Sequence, residues 1–114
     1  MHDPLQEGIR LFNDHQFFAS HEVLEELWTT DRGPRRLLLQ SLIHLAVGLH
    51  HLQRGNRVGA ASQLTKGLRK LAPYLPSCAG IDTARLYRDA ETALHQIEAG
   101  LPAIDCPRIY PRLD

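Results

Sequence analysis

The most constraining feature of this chain is one long apolar segment, LLLQSLIHLAVGLHHL, at residues 37–52. A membrane span needs about 20 apolar residues, so this segment is too short, and it contains a glutamine and three histidines. A helix that is apolar on nearly every side must be covered by neighbours, and 114 residues suffice for one hydrophobic core. The rest of the chain is therefore expected to pack around this segment.

Residues that start and stop helices divide the chain into five predicted helices. Asp3-Pro4 begins the first helix with a cap and a proline, and Asn13-Asp14 ends it. The second helix is predicted to run from about Phe17 to Trp28, and the third from Gly33-Pro34 to Gly55. The fourth begins at Asn56 and ends at Pro73, and the fifth begins at Asp82 and ends at Gly100. No segment alternates as a strand would. The pattern predicts an all-α, single-domain bundle of about five helices in antiparallel hairpins over residues 1–100, with an extended proline-rich tail over residues 101–114.

Charge and cysteine content narrow the classes of function. The chain has 13 basic and 13 acidic residues, so its bulk charge favours neither nucleic acid nor a membrane. No acidic residue occurs between Asp31 and Asp82, which makes the segment 32–70 basic. Cys78 and Cys106 show no metal-binding spacing, and the N-terminus lacks the features of a secretion signal. These features predict a reduced, cytoplasmic protein.

The segment HEVLEELW, residues 21–28, places one histidine and three glutamates within two predicted helical turns. Successive residues are about 100° apart around a helix. On that geometry, His21 and Glu25 lie on the apolar side, whereas Glu22 and Glu26 turn away from it. We therefore predict that the carboxylate paired with His21 is that of Glu25.

A polar stripe runs along the predicted third helix, where Gln40, His44 and His51 share one sector. Unsatisfied buried polar groups are costly, so this stripe requires partners. The short connection makes the second and third helices antiparallel neighbours, in which the numbers of facing residues add to a constant. His21 with His44 gives one sum, and Glu25 with Gln40 gives the same sum. The four side chains are therefore expected to converge in one cleft.

Two interpretations of this polar cluster remain open. The first is a divalent-metal or small polar ligand site, because a histidine and a glutamate four residues apart can both bind a metal from one helix face. The second is a structural hydrogen-bonded seam in a helical protein-interaction module. The expected ligand-binding residues are His21, Glu25, Trp28, which walls the cleft, Gln40, His44 and His51, with His21, Glu25 and His44 as the metal ligands.

The sequence assigns no reaction. HEVLE differs from the HExxH helix of zinc proteases, and the helical wheel turns Glu22, the residue in the place of the general base, away from the cluster. We lean towards a protein that is not an enzyme, with metal-assisted hydrolysis as the reaction class if there is one. The expected partners are a small polar ligand, a metal ion or a second copy of the chain. An anionic ligand or nucleic acid bound through residues 32–70 is a weaker alternative, because no aromatic residues interleave the basic ones.

The two longest motifs, FNDHQFFASHEVLEELW and LLLQSLIHLAVGLHHLQRGNRVGA, resemble a small helical family called domain of unknown function 309. The resemblance extends over residues 8 to about 72, with Ser41 where the family usually has glycine. It implies an all-helical fold, and it implies no reaction. The matching residues are Phe12, Asn13, His21, Glu22, Glu25, Trp28, Gln40, Ile43, Ala46, Gly55, Asn56, Gly59 and Ala60.

Overall fold

The computed structural model describes residues 3–113 and consists of helices joined by short connections. The helices are α1 (Pro4–Asn13), α2 (Phe17–Thr30), α3 (Arg36–Gln53), α4 (Arg57–Leu71) and α5 (Thr83–Glu98), with a 3-10 turn at Ala72–Tyr74. The predicted all-α class and the five helices are confirmed. Within the described residues, no helix has both the length and the apolar character that crossing a bilayer requires.

Three of the five helices begin at a side-chain cap that the sequence predicted. The side chains of Asp3, Asn56 and Asp82 accept hydrogen bonds from backbone N–H groups of the following turn at 2.9 to 3.0 Å. Such caps satisfy donors that have no partner inside the helix. α2 and α3 have no side-chain cap of this kind.

Each helix packs mainly on the next one along the chain, which places α3 between α2 and α4. α3 is the apolar helix expected at the centre of the fold. Its fully buried leucines belong to one core that also contains residues of all the other helices. These leucines are Leu38, Leu39, Leu42, Leu45 and Leu49.

Small residues of α3 and α4 lie in the contact between the two helices. A Cβ atom on Gly67 would lie 2.7 Å from Leu45 Cδ2 and 3.1 Å from the backbone oxygen of Ser41. A Cβ atom on Gly48 would lie 3.2 Å from the backbone oxygen of Ala60. Glycine at positions 48 and 67 therefore sets how near the two helix axes can come.

The segment after α5 returns to the body of the protein. Ile109 is 2% exposed and belongs to the same core as the helices. The side-chain amide of Asn13 makes two hydrogen bonds to the backbone of Ile109. Its Nδ2 donates to Ile109 O at 2.8 Å, and its Oδ1 accepts from Ile109 N at 2.7 Å. The predicted division into a bundle over residues 1–100 and a tail over residues 101–114 remains a prediction. Residues 1, 2 and 114 lie outside the part of the chain that the structure describes.

Candidate functional site

The predicted pairing of His21 with Glu25 is present on α2. His21 Nε2 lies 2.6 Å from Glu25 Oε2, and the side chains are 22% and 53% exposed, respectively. Glu22 and Glu26 are exposed, as the helical wheel predicted, but Glu25 is exposed as well, so its predicted place on the buried side of α2 is wrong. Because the carboxylate attracts the imidazole proton to Nε2, Nδ1 of a neutral His21 is left as a hydrogen-bond acceptor.

Two buried polar atoms of α2 lack a partner among the described residues. They are Nδ1 of His21 and Nε1 of Trp28, and both are shielded from solvent. The two residues are seven positions apart, so both lie on one face of the helix, about two turns from each other. An unsatisfied buried donor or acceptor costs about 1–3 kcal/mol. These two atoms therefore lower the stability of the fold unless a ligand or a water molecule pairs with them.

Trp28 also organises the junction of α2 and α3. The Arg36 guanidinium carbon lies 4.2 Å from the Trp28 ring centroid, a cation–π contact. Arg36 Nη1 donates to Trp28 O at 2.6 Å and to Asp31 O at 2.7 Å. Arg36, the first residue of α3, thus satisfies carbonyls at the end of α2, whose own last turn has no basic residue.

Asp31 fixes the loop that follows. Its carboxylate accepts from Arg35 Nε at 2.8 Å and from Gly33 N at 2.8 Å. The hydrogen bond from Arg35 and then that from Gly33 lower the pKa of Asp31. The charged form is favoured, so the loop connecting α2 and α3 keeps its shape at neutral pH.

The predicted convergence of His21 and His44 in one cleft is wrong. His44 Nδ1 donates to Gln63 Oε1 at 2.8 Å, and its Nε2 lies 3.1 Å from Lys70 Nζ. Both partners belong to α4, so His44 serves the α3–α4 interface. The metal-ligand set of His21, Glu25 and His44 is not brought together by the fold.

The physical reason is the rotation of α3 between its two neighbours. α2 faces the side of α3 that carries Arg36 and His50, as the contacts to Trp28 and Phe18 show. His44 lies roughly 100° around the helix from that side. The polar stripe therefore points towards α4, although α2 and α3 are neighbours as expected.

The other two expected residues on α3 also lie apart from the His21 pair. Gln40 is half-buried, and its side chain makes no hydrogen bond to another described residue. His51 is half-buried near the end of α3, with its ring centroid 6.4 Å from that of His50. Across residues 3–113, no group of three or more histidine, cysteine, aspartate or glutamate side chains is placed to hold a metal ion.

Phe18 and His50 form a cluster of rings with His21, and neither was predicted as a site residue. The Phe18 ring centroid lies 5.6 Å from that of His21 and 5.2 Å from that of His50, so this half-exposed phenylalanine bridges α2 and α3. The separation of His50 from the polar stripe on the wheel was the available signal. Outside this ring cluster is an open depression of about 320 Å³, lined by Phe18, His21, Glu22, Glu25, Glu26 and Thr29.

Comparison with known proteins places these features in a family context. A family profile described as "Domain of unknown function (DUF309)" matches residues 5–63, which include α1, α2, α3 and the first half of α4. A protein of Bacillus subtilis (strain 168), named "Uncharacterized protein YpuF", is 33% identical over 85 residues, covering 72% of this chain and 49% of that protein. An "Uncharacterized protein" of Aquifex aeolicus (strain VF5) is 27% identical over 99 residues, covering 86% of this chain and 30% of that protein. The chain thus spans a third to a half of the length of these relatives.

Proposed function

The chain belongs to the DUF309 family, which brings no reaction with it, and we propose that it binds a small neutral polar ligand between α2 and α3. The observation that carries this proposal is the pair of buried, unpartnered atoms His21 Nδ1 and Trp28 Nε1. A native fold rarely leaves such atoms unpaired without a ligand, a water molecule or a function to account for them.

The chemistry of the two atoms defines the ligand. Trp28 Nε1–H can only donate, and His21 Nδ1 accepts when Glu25 keeps the proton on Nε2. The two residues lie about two turns, roughly 10 Å, apart along α2, so one ligand needs a donor for His21 and, some distance from it, an acceptor for Trp28. The ligand we propose is therefore a small polar molecule with hydroxyl or amide groups and without a net charge that the glutamates would repel.

The surroundings supply the walls of such a site, and because its two polar atoms are closed to solvent, a ligand must displace the side chains that cover them. Arg36 holds the Trp28 ring through its cation–π contact, and Phe18 packs beside the imidazole of His21. The aromatic rings form apolar walls, and the two unpartnered atoms can orient a ligand through hydrogen bonds. This combination is typical of small-molecule sites, in which a few placed polar groups fix the orientation of the ligand.

The single tryptophan makes the proposal directly measurable. In a ¹⁵N-labelled protein, its indole N–H gives one resonance that can be followed together with the ring signals of His21. We expect at least one of acetamide, ethylene glycol and L-glutamine to shift both sets of signals saturably in the same titration. If none of the three produces a saturable shift, the proposal is wrong.

A pair of isosteric variants tests the role of Glu25. Glu25→Gln should weaken the binding of that probe roughly tenfold, because the amide no longer fixes the proton of His21. Glu22→Gln removes the same charge from the outer face of α2 and should change affinity less than twofold. Equal losses in both variants would mean that the helix acts only through its net charge. If zinc ions shift the signals of His21 but not those of Trp28, the site binds a metal ion and the proposal of a polar ligand is wrong.

A further inference from the structure

The surface of α4 carries positive charge that the described residues do not neutralise. The sequence has no acidic residue between Asp31 and Asp82, and α4 lies inside that interval. Within residues 3–113, neither Lys66 nor Lys70 lies within 4.0 Å of a carboxylate oxygen. The two lysines are four positions apart, so they occupy the same face of α4.

Lys70 has a neutral partner where a cation would normally find an anion. Its Nζ lies 3.1 Å from His44 Nε2, and it can only donate to that nitrogen. His44 Nδ1 donates to Gln63 Oε1 at 2.8 Å, which fixes both the plane and the tautomer of the ring. The imidazole is therefore held with its remaining nitrogen turned towards the ammonium group of Lys70.

We propose that α3 and α4 form a binding site for a tetrahedral oxyanion, the phosphate group of a small molecule, held by Lys66, Lys70 and His44. The anion would accept hydrogen bonds from Lys70 Nζ and from His44 Nε2–H once the imidazole is protonated. Lys66 adds a second positive charge on the same face. Charge-assisted hydrogen bonds of this kind are about twice as strong as neutral ones.

Proton binding and anion binding are coupled in this arrangement. From α4, the charged groups that face His44 are Lys66 and Lys70, and from α2 no described charged group contacts the ring. Without an anion, a proton on Nε2 would point at the ammonium group of Lys70 and would be repelled. With an anion between them, both groups donate to it. Anion affinity should therefore rise as the pH falls.

Equilibrium titrations with inorganic phosphate and with sulfate test the site in the whole chain. We expect saturable shifts of the His44 ring resonances at pH 7 with both ions. Lys70→Met should weaken binding at least tenfold, because it removes a charge-assisted hydrogen bond. The matched control is Arg69→Met, which removes the same charge from the next, exposed position of α4 and should change affinity less than twofold.

The pH dependence gives a second, independent measurement. Sulfate stays a dianion between pH 7 and pH 5.5, so a rise in its affinity over that range reports on the protein. The rise is expected in the wild type and should be absent in His44→Gln. A single-stranded oligonucleotide whose binding Arg69→Met and Lys70→Met weaken equally would indicate a general basic surface and overturn the site. The absence of any saturable shift of His44 with either ion would overturn it as well.

Discussion

The imidazole of His44 is held in its neutral form by its surroundings. Burial has the largest effect and lowers the pKa of His44 from the ordinary value of 6.5. The hydrogen bond from the ring to Gln63 acts in the opposite direction, and the positive charges of Lys70 and Lys66 lower the pKa further. The folded protein therefore binds a proton at His44 less readily than the unfolded chain does.

This difference predicts a pH dependence of stability. Above pH 6.5, the ordinary pKa of the unfolded chain, His44 is neutral in both states and its contribution is complete. As the pH falls through the lowered folded pKa, the unfolded chain gains protons first and that contribution is lost. His44→Gln should therefore flatten the decrease in the free energy of unfolding between pH 7 and pH 5, measured by urea denaturation. His95→Gln, on the exposed side of α5, should leave the decrease as it is in the wild type. A His44→Gln profile parallel to that of the wild type would contradict the assignment.

Single residues were predictable within a helix and less so between helices. The pairing of His21 with Glu25 follows from 100° per residue, because both belong to one rigid helix. The partner of His44 does not follow from the same arithmetic, because α3 has a neighbour on two sides. A wheel shows which residues share a face, but the rotation of the helix decides which neighbour that face meets.

At the scale of helices, the signal for the correct neighbour was present in the sequence. Ser41 and Gly48 lie beside His44 on the wheel, and small residues mark the side on which another helix comes close. The structure places α4 there, with Gly67 against Ser41 and Leu45. Helix boundaries were easier to predict from the sequence, because Asp3, Asn56 and Asp82 each cap a helix by a local hydrogen bond.

The close approach of α3 and α4 predicts that alanine is unfavourable at position 67. Alanine gains about 1 kcal/mol of helix propensity over glycine. Its Cβ would lie 2.7 Å from a methyl carbon of Leu45, which is fully buried and cannot move freely. Overpacking costs about 1–3 kcal/mol, so Gly67→Ala should lose about 1 kcal/mol of unfolding free energy in urea denaturation. Ser62→Ala, on the exposed side of α4, should be neutral or slightly stabilising. A Gly67→Ala variant more stable than the wild type would show that the interface has room.

For the molecule as a whole, the C-terminal segment is part of the compact body. The radius of gyration is 13.1 Å, close to the value of about 13 Å expected for a globular chain of this length. The sequence could not predict this docking, because prolines favour an extended backbone without specifying what that backbone packs against. The specific contact comes from the side-chain amide of Asn13, whose two hydrogen bonds to Ile109 join distant parts of the chain.

Removing that amide should loosen the segment without unfolding the bundle. Asn13→Ala deletes two hydrogen bonds worth about 1 kcal/mol each, so local opening should become roughly 10- to 30-fold more frequent. Trypsin cleavage after Arg108, followed by mass spectrometry of the intact protein, should accelerate by a similar factor. Gln6→Ala, an exposed amide on the same helix, should cleave at the wild-type rate. Unchanged cleavage in Asn13→Ala would mean that the buried side chain of Ile109 suffices to hold the segment.

The clamp between Asn13 and Ile109 also bears on the order of events during synthesis. The two residues are 96 positions apart, whereas the main helix contacts join consecutive helices. At about 5–20 residues per second, a ribosome needs roughly 5 to 20 seconds to extend the chain from one residue to the other. The hairpins can form as they emerge, but the amide of Asn13 stays hydrated until the final segment arrives. The first helix is therefore made well before the segment around Ile109 that completes its native environment.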